Sequence, residues 1–476
     1  MDLRNQFVKS VKWASFSKFI RLSLQYVTLL VLAYFLAPKD FGLMSTAMIY
    51  IGFFNLIKDL GFASAIIRIE KESNTLYSSI FWINLFVGIF LSILIFLLSD
   101  VIAKYYKIND LRFIIRVLSF SFFFSSLTGL PNSILEKNMR FNILAGIEVI
   151  ATFLASGTAI ILAILEYGVW SLVLQNIVFV SITFCATWLA ADFLPSFSYD
   201  KNEIKKVLGF GIHLSGFNIL NYLVRNADYF LIGKFLGMQS LGYYSLAYRI
   251  MLFPIQNITS VINRVLYPIL AKVKDDNTRT QKIYLSVSKS VAFFTFPIML
   301  TFFVVNNNFV TIFLSEKWQP IIPVLYVLVP IGMLQSVYTL AGVLFLIKDK
   351  TQLWFYWGIF SAIITLLGFY IGLKWNILGV AIGYLISNLI LMFPGSYIAF
   401  NLIKLKVQSF LKNLSRTFAI SMTTAFLTFL LKIVINDINS YYSFFLLISF
   451  SLTAYFLLSY KFNKNLFSKL IRQIKF

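Results

Sequence analysis

Lys18, Arg21, Gln25 and Thr28 recur at i, i+3, i+7 and i+10 inside an otherwise apolar run. That spacing puts all four on one face of a helix. Two hundred positions later, Asn218, Asn221, Arg225 and Asp228 repeat the same register. Arg249, Gln256, Ser260 and Asn263 form a third such face, Asn55 with Lys58 and Asp59 a fourth, and Glu148, Thr152 and Ser156 a fifth. The chemistry these sets offer is recognition of an anion. A guanidinium fork matches two oxygens of a phosphate or carboxylate, and the attraction strengthens where water is scarce. Eleven basic residues lie within apolar runs, against few acids, chiefly Asp59, Glu148 and Asp228. A cavity lined by these faces is therefore expected to be net positive and to suit a pyrophosphate headgroup or an acidic sugar. Lys18, Arg21, Gln25, Asn218, Asn221, Arg225, Arg249 and Gln256 are the substrate-binding candidates. Lys58, Asp59, Glu148 and Asp228 are candidates for coupling or gating. Each also has a plainer role open to it: interhelical hydrogen bonding, an ion pair such as Arg225 with Asp228, or snorkelling to the headgroups, as for Lys289 and Arg416.

The elements that carry these faces follow from composition. Of 476 residues, 59% are hydrophobic and 13% charged, where a soluble domain carries about 25% charged residues. Long apolar runs recur from Trp13 to Tyr460 and leave no room for a separate soluble domain. A run of about 20 apolar residues crosses a bilayer as a helix, because only a helix pairs every backbone N–H and C=O inside hydrocarbon. The runs predict an all-α polytopic membrane protein with about fourteen spans, near residues 13–37, 41–66, 78–98, 111–135, 142–165, 168–190, 207–233, 240–269, 288–305, 321–346, 353–373, 377–400, 414–434 and 442–459. Twelve is the alternative if the first two form one hairpin. Lys and Arg divide unevenly between alternate connections, 24 on the side of both termini against six (Lys39, Lys104, Lys107, Lys234, Lys317, Lys374) on the other. The positive-inside rule then predicts cytoplasmic termini. The formal charge of +22 is thus an orientation signal, and nucleic acid is not an expected partner.

Self-comparison finds a repeat. The segment from Phe35 to Ala47 aligns without a gap on Phe235 to Ala247, and Tyr167-Gly168-Val169 has a weaker echo in Leu378-Gly379-Val380. Two six-span lobes are predicted, 1–200 and 201–405, related by an axis along the membrane normal around a central cavity. Residues 406–476 add two further spans and a basic tail. Pro131, Pro254, Pro297, Pro330 and Pro394 fall in or at the ends of spans, and Gly379 with Gly383 offers a close helix contact. His213 is read as packing. No phosphate-binding loop, metal-spaced His/Cys set or long outer loop occurs, which excludes an ATP-driven pump within this one chain and leaves no expected cofactor or metal.

The segment LAPKDFGLMSTAMIYIGFFNLIKDLGFASAIIR, Leu36 to Arg68, together with YFLIGKFLGMQSLGYYSLAYRI, Tyr229 to Ile250, and YGVWSLVLQ, Tyr167 to Gln175, resembles the polysaccharide flippases of the Wzx and teichuronic-acid exporter type. These belong to the multidrug/oligosaccharidyl-lipid/polysaccharide superfamily. The resemblance covers nearly the whole chain. It implies two six-helix lobes and two extra helices, alternating access for an undecaprenyl-pyrophosphate-linked oligosaccharide, and no catalysis. It further implies residence in a bacterial inner membrane beside a polymerase and glycosyltransferases of the same pathway. Arg21, Arg225 and Arg249 take the role of cavity arginines by position and face. Whether Na+ or H+ couples transport is left open. A multidrug cation antiporter of the same fold, a membrane-embedded polysaccharide polymerase or ligase, and a channel or structural protein are the alternatives.

Overall fold

A computed structural model describes residues 3–58, 74–198, 221–435 and 439–463. Among them are fifteen α-helices and no strand. In chain order these are α1 (Leu3–Phe35), α2 (Pro38–Lys58), α3 (Asn74–Tyr106), α4 (Asn109–Lys137), α5 (Phe141–Ile164), α6 (Val169–Ala190), α7 (Ala227–Phe235) and α8 (Gly237–Ala271). They continue with α9 (Asn277–Phe313), α10 (Ile321–Tyr338), α11 (Gly342–Ile347), α12 (Thr351–Gly372), α13 (Asn376–Asn401), α14 (Val407–Val434) and α15 (Ser440–Phe462). Eleven helical stretches are long and apolar enough to cross a membrane, and one of them, Thr351–Asn401, holds both α12 and α13. The chain is a multi-pass membrane protein. Each span read from the sequence falls mainly on helix over its described part, with breaks at residues 36–37 and at Asn226, although several helices outgrow the bilayer. α9 runs for 37 residues, about 55 Å at 1.5 Å per residue, well beyond the predicted 288–305.

By its internal contacts the chain divides into two compact units, Met1–Gly242 and Tyr243–Phe476. In the first, α3 packs on α4, α5 on α6, α1 on α5 and α4 on α6. Leu76, Tyr77, Ile80, Leu130, Ile134 and Phe193 form a buried cluster there. On α3, Phe86, Phe90, Ile93, Leu97 and Val101 are exposed. Their spacing of three and four residues marks a continuous apolar face turned to lipid. In the second unit α9 is central, packing against α10, α14 and α15, and α12 pairs with α13. The α12–α13 approach is close because Gly368 and Gly372 face Gly383 and Gly379: a Cβ on Gly383 would lie 2.1 Å from the Gly368 carbonyl oxygen. Buried hydroxyls are satisfied locally. Thr152, Thr187, Thr295, Thr424 and Thr428 each donate to the carbonyl four residues back, which spares an apolar medium an unpaired O–H.

The repeat has a physical counterpart in the first unit. A Cβ on Gly42 would sit 1.8 Å from the Met238 carbonyl oxygen, and one on Gly242 would sit 1.7 Å from the Pro38 carbonyl oxygen. Pro38 and Met238, like Gly42 and Gly242, are 200 positions apart. The starts of α2 and α8 thus cross reciprocally, backbone against backbone, at a point only glycine permits.

Candidate functional site

On α1, Lys18 and Arg21 are half-buried, Gln25 is exposed and Thr28 is buried. The Thr28 hydroxyl donates to the Leu24 carbonyl, so it serves its own helix. The Arg21 Nη1 lies 3.1 Å from Glu148 Oε2 on α5, with side chains 26% and 48% exposed. The structure thus pairs a substrate-binding candidate with a gating candidate. Arg21 Nε is buried and has no hydrogen-bond partner, so its guanidinium keeps an unused donor beside a carboxylate that neutralises its charge. No charge pattern along the chain signals this partnership, because 127 positions separate the two residues.

Lys58, at the end of α2, donates through Nζ to Ser125 Oγ at 2.9 Å. Asp59 and Asn218, like His213, lie outside the described residues. Residues 221–225 are helical, and the helix is interrupted at Asn226 before α7 begins. The Asn226 side-chain amide donates to the Tyr222 carbonyl, which also accepts the Asn226 backbone N–H at 3.1 Å. Asn221 and Arg225 are exposed, and Arg225 makes no ion pair with a described residue. Asp228 stands past the interruption, 2% exposed, in the first turn of α7. Its Oδ1 accepts from the Tyr229 N–H, the favoured place for a carboxylate at a helix N-terminus. Tyr222, which sequence reading passed over, anchors this segment. Its hydroxyl reaches the Met48 and Ile49 carbonyls of α2 at 3.2 and 3.0 Å and packs over Gly52.

Arg249 and Gln256 belong to the second unit, on α8. Arg249 is half-buried, Gln256 is exposed, and Arg249 has no ion pair among the described residues. Other basic residues within the apolar runs have partners that tie helices together. Arg112 Nη1 and Arg116 Nη2 hold Asp100 at 3.3 and 2.8 Å, and Arg116 Nε donates to Ser99. These bonds staple α4 to α3. Lys432 Nζ donates to the Val304 carbonyl. Helix pairing thus accounts for Arg112, Arg116 and Lys432, whereas among the substrate-binding candidates Arg225 and Arg249 are guanidiniums with no ion pair among the described residues. Among the described residues no cluster of His, Cys, Asp and Glu could hold a metal.

The family model described as polysaccharide biosynthesis protein matches residues 31–323. The chain belongs to that family. It is similar along its length to the teichuronic acid biosynthesis protein TuaB of Bacillus subtilis strain 168, 27% identical over 90% of this chain and 89% of that protein. Similarity to the lipopolysaccharide biosynthesis protein WzxC of Escherichia coli strain K12 is 28% over 82% of this chain and 80% of that one. In fold it resembles the solved lipid II flippase MurJ in an inward closed conformation. The TM-score is 0.75 at 16% identity, covering 96% of this chain and 99% of that one. The family resemblance drawn from Leu36–Arg68 and its companion segments agrees with these findings.

Proposed function

We propose that this protein is a flippase that carries an undecaprenyl-pyrophosphate-linked oligosaccharide from the cytoplasmic to the outer leaflet of a bacterial cytoplasmic membrane. It works by alternating access between two six-helix lobes, with both termini in the cytoplasm. The observation that carries this reading is that Arg225 and Arg249, in helical segments that the sequence reads as spans, form no ion pair among the described residues in a chain of the polysaccharide biosynthesis family. An unpaired arginine inside a span costs about 3 kcal/mol on insertion scales, and a transported diphosphate offsets that cost by charge-assisted, two-point hydrogen bonds. Lys18 and Asn221 extend the anion-binding set. Arg21 joins it when the substrate phosphate displaces Glu148, which makes Glu148 a gating group in the same step. The protein acts as a transporter and not as an enzyme; polymerase and glycosyltransferases handle the sugar on either side of it. Coupling to Na+ or H+, or to the membrane potential acting on the substrate's charge, drives the cycle.

The test is transbilayer movement of a fluorescent polyprenyl-diphosphate oligosaccharide in proteoliposomes, with wild type, Arg225→Ala and Arg249→Ala at matched protein levels. Wild type is expected to move the lipid and each variant to lose about tenfold or more, the worth of a charge-assisted hydrogen bond. Failure of wild type with several such lipids, together with export of organic cations, replaces this reading with the cation antiporter.

A further inference from the structure

α9 and α14 pack together along their lengths. Their register is set at two heights: Asn413 Nδ2 donates to the Leu285 carbonyl and Lys432 Nζ to the Val304 carbonyl, each at 2.8 Å. Both pairs are 128 positions apart, so the helices run parallel and in step. That register puts Lys289 level with Thr417 and beside Arg416, and the two cations lie within electrostatic reach of each other. At the same height Asn463, the residue that closes α15, donates to Thr417 Oγ1 at 3.4 Å. It brings Lys461, in the last turn of α15, to the same level. Lys412 stands one turn before Arg416 on the same face of α14. Four cations from three helices therefore meet where α15 ends.

Nothing in this part of the chain neutralises them. From Asn277 to Phe476 the sequence holds three acids, Glu316, Asp349 and Asp437, and none lies in α9, α14 or α15. Asp276 caps the start of α9, thirteen residues or about 20 Å along the helix axis from Lys289. Among the described residues none of Lys289, Lys412, Arg416 and Lys461 forms an ion pair. A lone lysine or arginine could extend to water, but Lys289 is half-buried at the α9–α14 contact. Holding it beside Arg416 costs Coulomb energy that a bound anion removes. The surroundings specify which anion. Ala419, Thr423, Leu427, Leu430 and Val434 of α14 are exposed, the last three 37%, 42% and 79%, and follow Arg416 at three- and four-residue steps on its own face of the helix into the membrane. A cationic head above an exposed apolar strip matches a phosphodiester above an acyl chain.

We propose that Lys289 and Arg416, with Lys412 and Lys461 at the rim, bind the phosphate of an anionic phospholipid in the leaflet where α14 begins and α15 ends. Arg416 takes two phosphate oxygens through its fork and Lys289 the charge from the α9 side. The inference stands apart from the transport reading, because the site lies on α9, α14 and α15, away from Arg225 and Arg249 in sequence and assigned to none of the substrate-binding set.

The test uses the full-length protein in detergent micelles, titrated with dioleoylphosphatidylglycerol or dioleoylphosphatidylcholine and read by native mass spectrometry. Removing both central charges in Lys289→Gln/Arg416→Gln is expected to weaken phosphatidylglycerol binding about thirtyfold, from about fivefold per basic residue near an anionic lipid surface. Phosphatidylcholine binding should not change. A Lys104→Gln/Lys107→Gln variant, altered at the opposite ends of spans, should bind as wild type does. Thermal unfolding in phosphatidylcholine confirms that the variants fold; should the double variant fail there, Lys461→Gln at the rim is expected to weaken binding about fivefold. Equal phosphatidylglycerol binding by wild type and the folded charge variant overturns the proposal. So does displacement of phosphatidylglycerol by equimolar undecaprenyl diphosphate, which would assign the cluster to the transported lipid instead.

Discussion

The ion pair between Arg21 and Glu148 decides how much positive charge α1 can offer a ligand. Both side chains are partly exposed, so as a structural contact the pair contributes at most about 1 kcal/mol. Removing either charge should therefore leave stability nearly unchanged. Transport should respond in opposite directions. Arg21→Ala deletes a phosphate ligand and is expected to lower flipping about tenfold at limiting substrate. Glu148→Gln deletes the competitor for Arg21 and is expected to raise flipping at limiting substrate while slowing the maximal rate, because the carboxylate no longer helps to release the lipid. Initial rates in proteoliposomes over a range of substrate, beside thermal unfolding midpoints, check this. Equal losses of midpoint in both variants with no change in rate would make the pair a helix clamp. At this scale the sequence was only half legible. The helical spacing of Lys18, Arg21, Gln25 and Thr28 showed one face, but what faces it from α5 is a matter of tertiary packing, which no local pattern encodes.

Helices and their crossings carry more of their own signature. The match between Phe35–Ala47 and Phe235–Ala247 marked the junction where α2 and α8 begin, and the reciprocal Gly42 and Gly242 contacts explain why glycine recurs there. A methyl group at either position meets a carbonyl on the opposing backbone, which cannot rotate aside as a side chain could. Gly42→Ala and Gly242→Ala are each expected to destabilise by about 1–3 kcal/mol. The double variant should cost less than the sum, since both changes force apart the same two helix starts. Gly129 of α4, where an added Cβ meets nothing within 4 Å, is the control, and Ala there should be neutral or slightly stabilising. Thermal unfolding in detergent distinguishes the three; additive losses at Gly42 and Gly242 would show that the two crossings are independent. The interruption at Asn226 had no such signature. Neither proline nor glycine stands there, and the break is a local bend at Asn226, φ −111° and ψ 7°, through which the backbone bonds Asn226 N–H to Tyr222 O and Phe230 N–H to Asn226 O run on. Helix ends were equally hidden. The bilayer dictates where a run must be apolar but not where the helix stops, so α9 extends past its apolar core into polar sequence at Asn277.

For the molecule as a whole, hydropathy revealed a polytopic all-helical protein, with eleven stretches able to cross a membrane among the described residues against about fourteen expected, because a lone apolar run pairs its backbone in hydrocarbon only as a helix, whereas the sidedness rests on charge alone. The two sets of connections differ by 24 basic residues to six, and the insertion machinery reads such a bias as orientation. Cysteine accessibility tests it directly. Cys185, the sole cysteine in the sequence and exposed on α6, is first replaced by Ser. Single cysteines are then placed at exposed connections: Lys39→Cys, Lys107→Cys and Lys374→Cys on one side, Lys274→Cys and Lys404→Cys on the other. A membrane-impermeant maleimide applied to intact cells is expected to label the first three, and to label positions 274 and 404 only after permeabilisation. This outcome puts Arg416 and Lys289, near the start of α14, in the cytoplasmic leaflet. The reverse pattern would invert the whole chain and carry that cluster to the outer leaflet. The anion would then enter from the wrong side for export, and the flippase direction would fall with the orientation. Labelling of all five from outside would instead show that one of the apolar helices does not span, most directly testing the step from α12 to α13. There Thr351–Asn401 forms one continuous apolar stretch, and Lys374 at its middle is the only basic residue that requires the chain to surface.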